Sequence, residues 1–158
     1  MKKKALIIAG VVLAAIAWFA FRPERLIVNQ KVNESLQPVQ AASAKTIATG
    51  SFHGVAHDGM GTATIHQLAD SRRVLRFTNF STSNGPELQV YLVAADDATD
   101  SDTVRKAGFQ TLGALKGNIG DQNYDIGNDI DLSKYHAVTV WCRRFGVNFA
   151  TAPLKPNS

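Results

Sequence analysis

From Thr46 onward the chain is a succession of short runs in which apolar and polar residues alternate, each run cut by Gly, Asn, Asp or Pro. Leu75 and Phe77 alternate with Val74, Arg76 and Thr78, and Leu88, Val90 and Leu92 alternate with Gln89, Tyr91 and Val93. Side chains in a strand point to opposite faces in turn, so a period of two marks strands with one face in a core. The pattern predicts strands over 46–54, 61–68, 73–80, 87–94, 109–114, 122–127, 137–143 and 146–150. No apolar helical period long enough for a core helix runs through this region. About eight short strands with turn residues between them predict an all-β domain, an antiparallel sandwich or barrel.

The residues before Thr46 follow other rules. Lys2, Lys3 and Lys4 precede Ala5 to Phe21, seventeen residues without a charge. At about 1.5 Å per residue such a helix reaches roughly 25 Å, close to a bilayer core if Arg22 snorkels. The expectation is therefore one N-terminal transmembrane helix within 1–21, with lysines on the cytoplasmic side and Trp18, Phe19 and Phe21 at the outer interface. A cleaved signal peptide is the competing expectation, with Ala15-Ile16-Ala17 or Ala42-Ser43-Ala44 as the small-residue site. Residues 22–45 are polar, hold Pro23 and Pro38, and read as a flexible linker, leaving 46–158 as the β domain. The predicted location is the cell membrane, single-pass, with the β domain outside the cytoplasm.

The net charge of +4 changes meaning once located. Residues 1–45 hold seven Lys/Arg against two Glu, whereas 46–158 hold ten Lys/Arg against eleven Asp/Glu. The β domain is near neutral and has no basic face interleaved with aromatics, so nucleic-acid binding is not expected.

Candidate chemistry centres on the only cysteine, Cys142. In Val138-Thr139-Val140-Trp141-Cys142, alternation puts Val138, Val140 and Cys142 on one face and Thr139, Trp141 and Arg143 on the other. Arg144 shares the face of Cys142, beyond the apolar run. A lone cysteine in an exported domain cannot close an internal disulfide. It is a buried hydrophobe, a metal or haem ligand, a redox thiol, or a partner in an intermolecular bond. His53, His57 and Met60 supply further copper-type donors, but Arg143-Arg144-Phe145-Gly146 follow the cysteine where a cupredoxin-like centre carries His and Met. The acidic run Asp96, Asp97, Asp100 and Asp102 lacks the central Gly and terminal Glu of an EF-hand and reads as a solvated loop. No Gly-x-Ser-x-Gly elbow is present.

Several segments together resemble the DM-thirteen domain family. They are Gly50-Ser51-Phe52, His57-Asp58-Gly59-Met60-Gly61-Thr62-Ala63, Leu75-Arg76-Phe77-Thr78-Asn79-Phe80, Asn84-Gly85-Pro86-Glu87-Leu88-Gln89-Val90-Tyr91-Leu92, Gly113-Ala114-Leu115-Lys116-Gly117 with Ile119-Gly120-Asp121-Gln122-Asn123-Tyr124, and Val140-Trp141-Cys142-Arg143-Arg144-Phe145. The resemblance covers about 46–154. It implies a small all-β domain taking part in electron transfer, with Cys142 as the redox or cofactor-binding residue. The residues themselves, and not the resemblance, offer His53, His57, Met60, Trp141 and Arg144 as supporting candidates. The expected protein is a membrane-anchored, exported redox accessory without turnover of its own. It touches the membrane through residues 5–21, holds a haem or copper-type metal through Cys142, and exchanges electrons with a redox partner protein. The alternative expectation is an extracytoplasmic binding module in which the cysteine is structural and loops such as 81–86 and 95–107 do the work.

Overall fold

The computed structural model describes residues 2–21, 28–36, 41 and 43–157. Helix α1 covers Lys2–Phe21. Among the described residues no helix is long and apolar enough to cross a membrane, which corrects the expected transmembrane helix. Three lysines occupy the first turn of α1, and the apolar remainder reaches about 25 Å against a hydrocarbon core of about 30 Å.

Eleven strands follow among the described residues: β1 Lys31–Asn33, β2 Lys45–Ser51, β3 His53–Gly54, β4 Gly59–Gln67, β5 Arg73–Thr82, β6 Leu88–Val93, β7 Phe109–Ala114, β8 Ile119–Ile126, β9 Ala137–Cys142, β10 Val147–Pro153 and β11 Lys155–Pro156. They form two sheets, ordered β1-β8-β5-β4-β2-β11 and β3-β10-β9-β6-β7. The sheets are antiparallel apart from β1, which pairs parallel to β8. The predicted strands all appear, and the architecture is sandwich-like. The predicted run 46–54 is two strands, because Phe52 leaves the ladder to bury its ring and Phe52 N–H donates to Gly61 O at 2.8 Å.

The core lies between the sheets. From one side come Ala63, Ile65, Leu75, Phe77, Tyr124 and Ile126, and from the other Leu88, Val90, Leu92, Val138, Val140 and Cys142. The alternation of β5, β6 and β9 thus buries the predicted faces. Phe52, Phe77 and Phe80 meet in the centre with ring centroids 4.8–4.9 Å apart and two of the three contacts edge-on, the geometry favoured by ring quadrupoles.

A second cluster covers the outer face of the five-stranded sheet. Tyr91, Val93, Ala137 and Trp141 pack there against Ala98 and Val104. Val104 belongs to α2, Ser101–Ala107, within the segment expected to be an acidic loop. Asp100 caps this helix by accepting from Thr103 N–H at 2.6 Å, and Arg105 and Lys106 occupy its last turn. A seven-residue helix that buries one side chain has no apolar period to read.

The expected linker 22–45 lies partly outside the described residues. Within it, Lys31–Asn33 adds β1 to the sheet edge, and Glu34 ties it down through Lys116 Nζ at 2.8 Å and Asn123 N–H at 2.8 Å. Gly120 makes this possible: its φ is +103° and a Cβ there would lie 2.0 Å from Val32 O.

Candidate functional site around Cys142

Cys142 is the last residue of β9, the middle strand of its sheet, opposite Leu88 of β6 and Val147 of β10. Its side chain is on the core face, as alternation predicts, and is 0% exposed. The Sγ–H donates to Pro86 O at 3.1 Å. The loop carrying Pro86 is pressed onto the core, since a Cβ at Gly85 would lie 2.7 Å from the Phe149 ring.

Glu87 fixes the other side of this loop. Its carboxylate accepts from Arg143 Nε at 3.3 Å and Arg144 Nη2 at 3.2 Å, and its backbone carbonyl accepts from Arg143 N–H at 3.1 Å. Glu87 does this at φ +55°, a left-handed conformation uncommon outside glycine. Arg144 is therefore paired with Glu87 instead of extending the sulfur's face. The reason is local: β9 ends at Cys142, and Gly146 N–H closes a turn onto Cys142 O at 2.8 Å, so strand alternation does not reach residue 144.

Trp141 faces the opposite way and is 7% exposed. Arg105 lies over its ring at 5.5 Å, and Tyr91 stacks beside it at 6.2 Å with Phe109 stacked on Tyr91 at 4.2 Å. Burial pushes the Tyr91 hydroxyl above its usual pKa.

The remaining sequence candidates are not gathered around the sulfur. His53 places Nε2 3.0 Å from both carboxylate oxygens of Asp97 and Nδ1 3.1 Å from Gly54 O. His57 lies against the Phe149 ring with centroids 3.9 Å apart. Met60 is 62% exposed. Among the described residues no group of three or more His, Cys, Asp or Glu side chains is placed to hold a metal ion. A copper centre of two imidazoles and a thiolate does not fit this arrangement, because both ring nitrogens of His53 face oxygen acceptors and the sulfur bonds a carbonyl. Nor is an axial haem thiolate prepared in this arrangement, in which the sulfur is buried and its hydrogen is donated to Pro86 O. The acidic run is dispersed: Asp96 pairs with His136, Asp97 with His53, Asp102 with Arg105, and Asp100 caps α2.

Beside Glu87 and Leu88 opens a cleft of about 660 Å³ that sequence reasoning did not anticipate. It is rich in amides: Asn29 Oδ1 accepts from Asn84 Nδ2 and Asn118 Nδ2, both at 3.0 Å, while Gln30 N–H donates to Asn118 Oδ1 at 2.8 Å. The concentration of Asn and Gln in 29–33 is the one sequence signal for it.

Fold and site define a small two-sheet β domain with one cysteine sealed at the end of a central strand. The chain belongs to the electron transfer DM13 family, whose family model matches residues 51–154. No curated protein and no solved structure matches it.

Proposed function

We propose that this protein is an exported electron-transfer accessory in which Cys142 exchanges with a disulfide of a redox partner protein: the Cys142 sulfur gives up its proton and forms a mixed disulfide as the partner's S–S bond breaks, the partner's leaving sulfur takes the proton, and the reverse exchange restores the thiol. The observation that carries this reading is the family match across a domain that holds one cysteine, 0% exposed, under a single carbonyl. A thiol kept from solvent is protected from irreversible over-oxidation, and it reaches a partner only when the Pro86 loop yields. Alkylation of the full chain tests this. Iodoacetamide should modify Cys142 slowly in the resting protein and faster when the loop is loosened by Pro86→Gly, and a folded Cys142→Ser variant should lose electron transfer. A thiol inert in both forms, with Cys142→Ser retaining function, overturns the reading.

The second reading is a binding module with Cys142 as core packing. It is favoured by the amide-lined cleft and by Glu87 neutralising both arginines next to the sulfur.

Attachment to a membrane through residues 5–21 belongs to the same proposal, with the β domain outside the cytoplasm. It is supported by the exposure of Leu6, Ile7, Val11, Leu13, Trp18 and Phe19 on α1, each above 60%. Such surface is costly in water and favourable in lipid. The full chain should sediment with membranes after a high-salt wash and a C-terminal reporter should be active outside the cytoplasm; a soluble, cytoplasmic reporter contradicts it.

A further inference from the structure

At the Ala137 end of β9, away from Cys142, the two sheets part around a second cleft of about 620 Å³. Ile65, 2% exposed, belongs to its wall together with Ile47, Leu132, Tyr135 and Leu154, all four of them half-buried hydrophobics packed against the main core. These five come from four separate stretches of chain, β2, β4, 132–135 and the residue between β10 and β11, and all but Ile65 keep part of their apolar surface within reach of solvent. Ile47 is the extra residue of a β-bulge, since the pairing slips between Thr46 and Ala48, and bulges turn a strand aside where a surface is being built. Leu154 is held between β10 and β11 by donating its N–H to His136 O at 2.7 Å. A cleft of this volume, mostly apolar with a few polar groups at one place, has the character of a small-molecule site.

The polar groups give the ligand a sign. His136 lines the cleft with Nδ1 2.9 Å from Asp96 Oδ1 and Nε2 3.0 Å from Ser133 O, so both ring nitrogens are directed at acceptors. The Asp96 carboxylate, followed by the Ser133 carbonyl, raises the His136 pKa and favours the imidazolium. Lys155 is the other cation of the lining and is exposed, while Asp96 is the sole anion among the lining residues. Asp96 is already committed to His136, which leaves the Lys155 ammonium to receive a ligand's charge.

We propose that this cleft binds an amphipathic anion, a long-chain carboxylate whose alkyl body lies on Ile47, Ile65, Leu132, Tyr135 and Leu154 and whose head meets Lys155. Neither the family match nor the electron-transfer reading assigns this site, and its position at the opposite end of a six-residue strand, on the order of 17 Å from Cys142, makes the two separable.

The test uses the full chain in lipid nanodiscs titrated with dodecanoate below its micelle concentration, read by amide hydrogen exchange. Saturable protection is expected at 132–136 and 153–156 and not at 84–88. Lys155→Glu should weaken dodecanoate binding at least fivefold while leaving dodecanol unchanged, and wild type should prefer dodecanoate to dodecanol. Leu132→Asp, checked for folding by circular dichroism, should abolish binding of both. Cys142→Ser should bind as wild type, so loss of the redox reading would leave this result standing. Absence of saturable protection at 132–136, equal affinity for dodecanol and dodecanoate, or indifference to Lys155→Glu overturns the proposal.

Discussion

The Cys142 thiol donates to the Pro86 carbonyl across 3.1 Å, so the sulfur ends in a polar contact although its surroundings are core. This decides what substitution does. Cys142→Ala leaves a cavity and removes the bond, at a cost of about 1–2 kcal/mol. Cys142→Ser retains a donor for Pro86 O and should cost no more than about 2 kcal/mol, since the buried hydroxyl is paired. Urea unfolding of both variants checks this, and it makes Cys142→Ser the folded reference for functional work.

Gln122 is expected to be the most sensitive polar residue of the domain. It is 0% exposed, accepts from Tyr124 Oη at 2.6 Å and from the Lys116 and Gly117 N–H groups at 3.2 and 3.3 Å, and donates to Gly117 O at 2.9 Å. Gln122→Ala leaves several buried groups without partners, and should cost roughly 2–4 kcal/mol in a denaturant titration. Glutamate at this position should be worse than alanine at neutral pH, because it adds a buried charge.

Acid should release the β1 segment before the rest of the domain. Burial works to raise the Glu34 pKa, but hydrogen bonds from Lys116 Nζ and Asn123 N–H and the charges of Lys116 and Arg76 outweigh it and hold the carboxyl below its ordinary 4.5. A depressed carboxylate contributes stability above its unfolded pKa, and that contribution is lost as pH falls through the folded value. Amide protection at 31–36, measured relative to the intrinsic exchange rate at each pH, should therefore fall below about pH 4.5, with Glu34→Gln removing the dependence. The partial exposure of Glu34 and Lys116 means that added salt should weaken the effect.

His136 should give the opposite slope. Its pKa is raised chiefly by the hydrogen bond to Asp96, so its pairing contributes below the unfolded value near 6.5 and is lost as pH rises through the folded one. Titration of the His136 ring by NMR should show the raised value in wild type and its return in Asp96→Asn.

The strands that bury one face were legible because their chemistry is local. Alternation in β5, β6 and β9 identified the core faces and placed Cys142 inward. Three features depend on distant residues and left no such trace. The β1 strand rests on Val32 meeting Gly120 eighty-eight positions away. The helix α2 rests on Val104 packing beside Tyr91, Val93, Ala137 and Trp141 of strands β6 and β9. Arg144 takes its position from Glu87 across a turn that ends the alternating pattern. The two clefts are likewise assembled from segments far apart in the chain, residues 28–30 with 84–89 and 114–118 in one case, and 47–48 with 132–136 and 153–156 in the other.

Thiol–disulfide exchange of the full chain with oxidised glutathione, wild type beside folded Cys142→Ser and followed by intact mass, tests the redox role of the sulfur most directly. The account predicts a mixed disulfide on wild type that dithiothreitol reverses and that is absent from Cys142→Ser while both variants share the same circular dichroism spectrum. A folded wild-type protein that forms no mixed disulfide even when Pro86→Gly loosens the loop would contradict it.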